Sequence, residues 1–334
     1  MHGFPQARRV RLPEHLGALG SDIAAIELSV HEAGTGPSVV MCHGFPELAY
    51  SWHHQLATLA EGGFRAIVPD MRGYGASDSP DAVEAYDLEH LTADMVGLLD
   101  ALDIEKAVFA GHDWGGFVAW AMPVLYPERT LGAIGVNTPN FPFPTTTLYR
   151  SLVDADDKMY ILWFQEPRVA ERFLDERTRI VFEKLMRRAV PLEETLAQAE
   201  RDGVDLNPFL RIDALGLLGE PLLTPAELDY YTRAYQNAGF RGGINWYRNI
   251  DRNAERLPGV GATKLRLPSL MITAEWDPAL TPALAAGMPA ICSDLEMHMI
   301  ERCGHWTQQE KPEELSGLML DWLTRRFGTL EDRR

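Results

Sequence analysis

Ala110-Gly111-His112-Asp113-Trp114-Gly115-Gly116 lies between two apolar segments of different character. The residues before it, 106–110, are few, apolar and partly β-branched, which predicts a buried strand. The residues after it, 117–122, are apolar and compatible with a helix. The chain therefore passes from a strand through a tight turn into a helix, with Asp113 at the apex and a glycine two positions away on each side. This spacing is typical of a nucleophile elbow, where neighbouring backbone leaves no room for larger side chains.

The residue type at the apex determines the chemistry that the turn can perform. A carboxyl group with an unperturbed pKa of about 3.9 is an anion at neutral pH, so Asp113 needs no base before it attacks. A carboxylate can displace a leaving group from saturated carbon, and the resulting ester must then be cleaved by water with a base and an oxyanion hole. The alternative is that Asp113 only caps the helix that follows it. Partner residues farther along the chain favour catalysis.

Composition restricts the class of protein. The 334 residues suffice for one large domain with an insertion, and contents of 46% hydrophobic and 24% charged residues are ordinary for a globular protein. A net charge of −17 argues against a nucleic-acid partner. The three cysteines are scattered without metal-ligand spacing, so we predict no disulfide framework and no metal site, which suits the cytoplasm. We see no secretory signal and no apolar run near the ~18 residues of a membrane span.

Strands and helices alternate along the first part of the chain. We predict strands at 23–30, 38–42, 65–69, 106–110 and 130–136, with helices at 52–60, 88–102 and after the elbow. This alternation predicts an α/β fold whose mostly parallel sheet is covered by helices on both faces.

A proline-rich stretch, 137–144, interrupts this pattern. Helical segments follow at 159–164, 168–175, 178–188 and 225–238, before two more strands at 270–273 and 295–300 and a final helix at 312–327. We therefore predict three parts, which are a first core segment at 1–138, an inserted helical cap at 139–264 and a second core segment at 265–334.

A glycine-containing loop, HGFP at 43–46, follows the second predicted strand. Open α/β sheets place ligands at loops of this kind, beyond the carboxyl ends of the strands. We expect the backbone N–H of Phe45 to point at an oxyanion, although an ordinary turn is the alternative. The next polar loop matches no phosphate-binding pattern, so we interpret its Asp70 and Arg72 as a structural ion pair.

Ten histidines compete for the role of general base. His305 lies in a loop after the last predicted strand and follows a glycine. The chain order of nucleophile, acid and histidine, which is that of an α/β-hydrolase triad, favours this residue. His43 and His112 lie in other loops, although either could line the site, and His298 falls inside a strand. We therefore predict His305 as the base.

Two acids, Glu275 and Asp277, follow the strand predicted at 270–273. We favour Asp277 as the triad acid, because Glu275 lies closer to the strand end and can serve the loop. Asn137 occupies an uncharged alternative position after an earlier strand. The acid would fix the tautomer of His305 and stabilise the imidazolium that forms when water is deprotonated.

Together these segments resemble the epoxide hydrolases of the α/β-hydrolase superfamily, of the bacterial and soluble-animal type. The resemblance covers nearly the whole chain and is carried by HGFPE at 43–47, GHDWGG at 111–116, FQEP at 164–167, NWYRN at 245–249 and CGHW at 303–306. The first two motifs are shared with dehalogenases, whereas the two cap motifs are more specific.

The resemblance implies an α/β-hydrolase core with a helical cap and an enzyme that converts an epoxide to a vicinal diol through an ester on Asp113, without metal or cofactor. Two cap tyrosines would hold the epoxide oxygen, and they look like Tyr160 and Tyr247. A phenol with a pKa of about 10 can donate to the alkoxide and protonate it. The backbone N–H groups of Phe45 and Trp114 would form the oxyanion hole. Apolar walls that suit a hydrophobic epoxide are expected from Phe141, Trp163 and Trp246.

Three further expectations accompany this interpretation. A haloalkane or haloacid dehalogenase would use the same triad but needs no pair of phenols, and a non-catalytic receptor on the same fold is the other alternative. Members of the family often dimerise through the cap, so a homodimer is one expected state. The family often has glycine after FQEP, where this chain has Arg168.

Overall fold

A central sheet of eight strands organises the structure, a computed structural model that describes residues 3–191, 193–195, 197, 200, 206–216 and 218–328. The strands are β1 Arg8–Arg11, β2 Glu27–Ala33, β3 Ser38–Cys42, β4 Arg65–Pro69, β5 Ala107–His112, β6 Thr130–Val136, β7 Ser269–Ala274 and β8 Leu295–Ile300. Their spatial order is β1-β2-β4-β3-β5-β6-β7-β8. All neighbours from β4 to β8 are parallel, whereas β2 is antiparallel to both of its neighbours. The predicted mostly parallel α/β sheet is confirmed.

The strand register brings the functional loops to one edge of this sheet. Cys42, the last residue of β3, lies beside Gly111 of β5. In the same way, His112 lies beside Val136, Val136 lies beside Ile272 near the end of β7, and Ala274 lies beside Ile300. The loops that follow β3, β5, β6, β7 and β8 therefore meet at the carboxyl edge, where open α/β sheets hold their ligands.

Helices cover both faces of the sheet, as the alternation predicts. One face packs against α1 His53–Glu61 and α13 Pro312–Phe327, with buried side chains such as Leu59 and Trp322 between the layers. The other face packs against α2 Leu88–Ala101 and α3 Trp114–Leu125. Two shorter helices, α11 Met288–Ile291 and α12 Thr307–Glu310, complete the core.

A helical cap is inserted between β6 and β7. Its helices are α4 Thr146–Arg150, α5 Tyr160–Trp163, α6 Val169–Asp175, α7 Thr178–Leu185, α8 Pro225–Ala238, α9 Arg241–Arg248 and α10 Ile250–Arg256. The start of α8 is determined by local sequence: Thr224 and Glu227 form a reciprocal capping box, and Pro225 occupies the first turn. The cap shares one continuous core with the α2 and α3 face of the sheet. The predicted domain limits at 138/139 and 264/265 stay predictions.

Some details of the first 100 residues differ from the sequence predictions. The strand predicted at 23–30 begins at Glu27 and runs to Ala33, and β1 was not predicted. β1 has only four residues, three of them exposed arginines around a single buried Val10, so its apolar signal is weak.

The predicted ion pair of Asp70 with Arg72 is wrong. Arg72 is buried and pairs with Asp94 of α2, through an Nε–Oδ2 contact of 2.7 Å, while Asp70 accepts the N–H of Ala49 at 2.9 Å. A planar guanidinium binds best to a carboxylate that can meet it side by side, and the facing helix offers one. In a separate observation, no helix among the described residues combines the length and apolar character that a membrane crossing needs.

Candidate active site

Asp113 sits at the sharp turn between β5 and α3. Its backbone is left-handed, with φ 51° and ψ −123°, a strained conformation for a residue with a side chain. A Cβ on Gly111 would collide with the main chain of Gly115, and one on Gly115 would collide with the main chain of Cys42. The carbonyl oxygen of Asp113 accepts the hydroxyl of Thr138 at 2.7 Å and the N–H of Gly116 at 3.0 Å. The surrounding structure thus holds the strained turn in place.

The carboxylate of Asp113 faces the backbone N–H groups that were predicted to form the oxyanion hole. Oδ1 accepts the N–H of Phe45 at 2.8 Å, and the N–H of Trp114 also hydrogen-bonds the carboxylate. Burial raises the pKa of Asp113 above its ordinary value, and the positive charges of His305 and His112 and these N–H groups offset part of that rise. Oδ2 lies 3.9 Å from Nε2 of His305.

His305 and Asp277 form the predicted pair. Nδ1 of His305 lies 2.9 Å from Oδ2 of Asp277 and donates to this carboxylate, while Nε2 faces Asp113. Burial alone would lower the pKa of His305, but the charge of Asp277 and its hydrogen bond outweigh burial and raise the pKa to about 9. Burial would raise the pKa of Asp277, yet His305 and the donors around this carboxylate hold it well below its usual range.

The environment of Asp277 separates it from the other acid candidate. Its Oδ1 accepts the N–H groups of Ala279 and Leu280, and its Oδ2 accepts Nδ2 of Asn137 at 2.6 Å. Glu275 instead accepts the N–H of Arg302 at 2.8 Å. Asn137, considered above as an alternative acid position, thus supports Asp277.

A buried ion pair lies beneath His305 and was not predicted from the sequence. Nδ1 of His112 lies 2.8 Å from Oε2 of Glu47, and Nε2 lies 2.7 Å from the main-chain oxygen of His305. Both side chains have no exposed surface. Burial would raise the pKa of Glu47, but the charge of His112 and its hydrogen bond lower it below the ordinary value. The sequence offered two indications of this pair, which are a charged residue beside the glycine loop and a histidine beside the apex of the elbow.

The two cap tyrosines lie above the carboxylate on separate helices. Tyr160 begins α5, Tyr247 lies in α9, and their ring centroids are 5.7 Å apart. The ring of Tyr247 also packs against that of Trp114, with centroids 5.0 Å apart. Burial and then nearby groups, among them the negative charge of Asp113, raise the pKa of both phenols well above 10. Each phenol therefore keeps its proton at any ordinary pH.

The three residues predicted as pocket walls occupy different positions. Trp246 has no exposed surface and donates its indole N–H to the carbonyl of Arg72, so it packs behind Trp114 instead of facing a substrate. The ring of Trp163 packs against Phe173, and the ring of Phe141 packs against Phe117.

Two phenylalanines that the sequence did not single out lie closer to the tyrosines. The rings of Phe164 and Phe209 lie 5.5 and 5.4 Å from that of Tyr160. Phe164 also lies 5.1 Å from the ring of Tyr247, so these phenylalanines supply apolar surface beside the tyrosines.

Two other histidines considered for the base have structural surroundings. His43 accepts the N–H of Met71 on Nε2 at 3.0 Å and donates to the carbonyl of Gly44 from Nδ1 at 2.9 Å. His298 lies in β8 and pairs with Glu296 at 2.8 Å. Among the residues that the structure describes, no group of three or more His, Cys, Asp or Glu side chains could hold a metal ion.

The strand order, the elbow between β5 and α3 and the His305–Asp277 pair at the carboxyl edge define an α/β hydrolase with a cap. In agreement, a protein-family model described as the alpha/beta hydrolase fold matches residues 37–312.

Comparison with individual relatives identifies the family within this class. The chain is 39% identical over 320 residues to epoxide hydrolase A of Mycobacterium tuberculosis, covering 91% of this chain and 96% of that protein. It is 38% identical over 303 residues to bifunctional epoxide hydrolase 2 of Sus scrofa, and it spans about half of that protein, 53% of its length. A crystal structure of epoxide hydrolase A from Mycobacterium thermoresistibile superposes with a TM-score of 0.81 at 35% identity, over 95% of this chain and 98% of the other. The chain belongs to the epoxide hydrolase family of the α/β-hydrolase superfamily.

Proposed function

We propose that this protein hydrolyses a hydrophobic epoxide to a vicinal diol in two chemical steps. The observation that carries the proposal is a buried carboxylate at the apex of an elbow, with two protonated phenols above it and a histidine at 3.9 Å. When a carboxylate opens an epoxide, negative charge develops on the epoxide oxygen, and a neighbouring group must stabilise it. The two phenols supply that group.

In the first step, Asp113 attacks one epoxide carbon and the carbon–oxygen bond opens. Tyr160 and Tyr247 donate hydrogen bonds to the epoxide oxygen, and one phenol transfers its proton to the alkoxide. An ester between Asp113 and the substrate results. The high pKa of both phenols supports this role, because a phenol that stays protonated is a donor at neutral pH.

In the second step, His305 takes a proton from water, and the hydroxide adds to the ester carbonyl of Asp113. The bond between that carbon and the substrate oxygen then breaks, His305 returns its proton to the departing oxygen, and the diol leaves. The remaining proton of the water restores the phenol that protonated the alkoxide, and Asp113 is again a carboxylate. The N–H groups of Phe45 and Trp114, which hydrogen-bond the carboxylate in the resting protein, stabilise the oxyanion. The charge of Asp113 is one cause of the raised pKa of His305. Esterification neutralises Asp113 and so removes this cause. A larger fraction of His305 is then unprotonated at neutral pH, at the point where a base is required.

Dehalogenation is the competing reaction on the same triad. It requires free N–H donors for a departing halide, and the indole of Trp114 is the obvious candidate. The ring of Tyr247 packs against this indole, with centroids 5.0 Å apart, and a phenol pair has no part in halide release. These contacts favour the epoxide.

The test is a single turnover in heavy-oxygen water with enzyme in excess over a terminal, an aryl or an internal epoxide. We expect the first diol to contain no solvent oxygen and the label to appear in the peptide that contains Asp113. Solvent oxygen incorporated directly into the first diol would overturn the covalent mechanism. Halide released from chloroalkanes, with every epoxide left unchanged, would favour the dehalogenase.

Two properties of the protein outside the reaction are also proposals. We propose that the protein works in the cytoplasm, since its three cysteines, Cys42, Cys292 and Cys303, are buried and unpaired. We also propose a homodimer, which sedimentation of the purified chain would test.

A further inference from the structure

The two phenols must meet at one oxygen although they come from different helices. Tyr160 opens α5, which has only four residues, and Tyr247 lies near the end of α9. A proton donor acts only within about 2.6–3.2 Å of its target, so the relative position of the two helices matters for the reaction. The contacts between α5 and α9 are therefore relevant to the reaction.

Helix α9 is fixed to the core of the protein. Trp246 donates its indole N–H to the carbonyl of Arg72 at 3.2 Å, and Asn249, just after the helix, donates Nδ2 to the carbonyl of Val83 at 2.6 Å. At the start of α9, Gly242 lies so close to Gly73 that a Cβ would collide with its main chain. The core thus determines where Tyr247 lies.

Helix α5 is joined to α9 by two side chains that reach across in opposite directions. From the α5 side, Nε2 of Gln165 donates to the carbonyl of Ile161 at 2.8 Å and to that of Tyr247 at 3.0 Å. From the α9 side, Arg248 donates Nε to the carbonyl of Phe164 and Nη2 to that of Glu166, both at 2.9 Å. Phe164 and Glu166 lie just after the last residue of α5, so Arg248 holds the segment that leaves the carboxyl end of this helix.

Arg248 is itself held rigidly. Its guanidinium is nearly buried and pairs with Glu171 of α6 while also contacting Oδ1 of Asn245 at 3.0 Å. The amino end of α5 has separate anchors, since Tyr160 donates its N–H to Leu206 and Asn207 donates to the carbonyl of Asp157. Gln165 and Arg248 therefore control the carboxyl end of α5 and its distance from Tyr247.

We propose that Gln165 and Arg248 are positioning residues that keep the phenols of Tyr160 and Tyr247 together above Asp113 and so set the rate of ring opening. The proposal rests on the epoxide hydrolase function proposed above. Misplacing a reacting group by about 1 Å can cost ~100-fold in rate, and only the step that uses the phenols should be affected.

The experiment separates the two chemical steps by rapid mixing with an aryl epoxide, following ester formation and ester hydrolysis in turn. Gln165→Met keeps the size of the side chain and removes both donated hydrogen bonds, and Arg248→Lys keeps the charge but not the two-carbonyl contact. We expect ester formation to slow by about 10- to 100-fold in each variant, with ester hydrolysis within about twofold of wild type. Equal slowing of both steps, or no slowing, would overturn the proposal.

A double-mutant cycle distinguishes positioning from a general structural role. If Gln165 acts through Tyr160, Gln165→Met should slow ester formation much less in a Tyr160→Phe background than in wild type. Fully additive effects would overturn the proposal even if a single variant is poorly folded. The matched control is Arg177→Met, which removes a cap guanidinium that donates to the carbonyl of Phe173 and pairs with Asp213 away from both tyrosines.

The two proposals fail in distinguishable ways. A wild-type protein that forms no ester with any epoxide contradicts the proposed function. A wild-type protein that forms the ester, with Gln165→Met and Arg248→Lys equally fast, contradicts only the positioning role.

Discussion

Nε2 of His112 donates a hydrogen bond to the main-chain oxygen of His305 at 2.7 Å, while its Nδ1 faces the carboxylate of Glu47 at 2.8 Å. Both ring nitrogens of His112 are therefore engaged by oxygen atoms. The loop that carries the proposed base is therefore attached to a buried ion pair. The charge of Glu47 is also among the causes that raise the pKa of His305.

Glu47→Gln should weaken both the fold and the second chemical step. Breaking a buried pair costs about 3–5 kcal/mol, so we expect a loss of that order in the free energy of unfolding. The pKa of His305 should fall. At a pH where His305 is unprotonated in both proteins, ester hydrolysis should slow more than ester formation, because the loop that carries His305 loses its firm attachment to His112. Glu296→Gln is the control, since its partner Arg325 is exposed and such pairs contribute only about 0–1 kcal/mol. Denaturant titration and rapid mixing check both effects, and a Glu47→Gln protein as stable as the control would contradict the prediction.

His305→Gln should stop the reaction at the ester. The first step needs no base, so the variant should react once with an epoxide and accumulate the adduct, with hydrolysis slowed by about 10²–10⁴-fold. Mass spectrometry should find an increase equal to the substrate mass on the peptide that contains Asp113. Asp113→Asn should show no adduct. Failure of His305→Gln to form an adduct that wild type does form would assign His305 to the first step.

Asp277→Asn should change the pH dependence of ester hydrolysis. The charge of Asp277 outweighs burial and raises the pKa of His305 to about 9, so without this charge burial should dominate and the pKa should fall. The hydrolysis rate rises as His305 loses its proton, and this rise should therefore occur at lower pH in the variant. The plateau rate should drop, on the order of 10³-fold, because the tautomer is no longer fixed. A wild-type profile from single-turnover hydrolysis between pH 5 and pH 10 would contradict this account.

The interaction of His305 with Asp277 also predicts how the free energy of unfolding changes with pH. A histidine whose pKa is raised from its ordinary 6.5 to about 9 stabilises the folded state fully below pH 6.5 and loses that contribution as pH rises through 9. Wild type should therefore lose stability across that window relative to Asp277→Asn. Urea titrations at several pH values measure the difference, and parallel curves would contradict the prediction.

Sequence reasoning predicted the parts of this structure that local chemistry determines. The strands Ser38–Cys42, Thr130–Val136 and Leu295–Ile300 and the helix Pro312–Phe327 agree with the prediction, because apolar runs and glycine or proline signals bound them. The elbow was predicted for the same reason, since its glycine spacing reports a backbone that admits no side chain.

Contacts between distant segments could not be predicted in this way. Glu47 and His112 meet because β3 and β5 are neighbours in the sheet, and neither residue carries a local signal of that pairing. The partner predicted for Arg72 was wrong for a related reason. Asp94 becomes available to Arg72 only when α2 packs over the loop that carries Arg72. The reach of Arg248 to the carboxyl end of α5 likewise depends on how the cap folds.

The two phenols should contribute mainly to ester formation. Tyr247→Phe and Tyr160→Phe should each slow this step by about 10²-fold or more, and the double variant should lose it almost completely. Hydrolysis of an ester already formed should stay near the wild-type rate. Tyr126→Phe is the control, because its hydroxyl accepts the N–H of Ala18 at 3.0 Å far from Asp113. Rapid-mixing rates check the prediction, and a double variant that forms the ester at the wild-type rate would contradict it.

Arg168→Gly should stabilise the protein without changing catalysis. Arg168 precedes α6 with φ 66° and ψ 2°, a left-handed conformation that costs a residue with a side chain about 1–2 kcal/mol and costs glycine nothing. Part of the gain is offset because glycine gives the unfolded chain more freedom, so we expect a net increase of up to about 1 kcal/mol in the free energy of unfolding. Arg168→Ala is the matched control, since it removes the exposed guanidinium but keeps the Cβ and therefore the strain. Denaturant titration should rank the glycine variant above both wild type and the alanine variant, with equal turnover in all three; equal stability of the two variants would show that backbone strain at this position has no measurable cost.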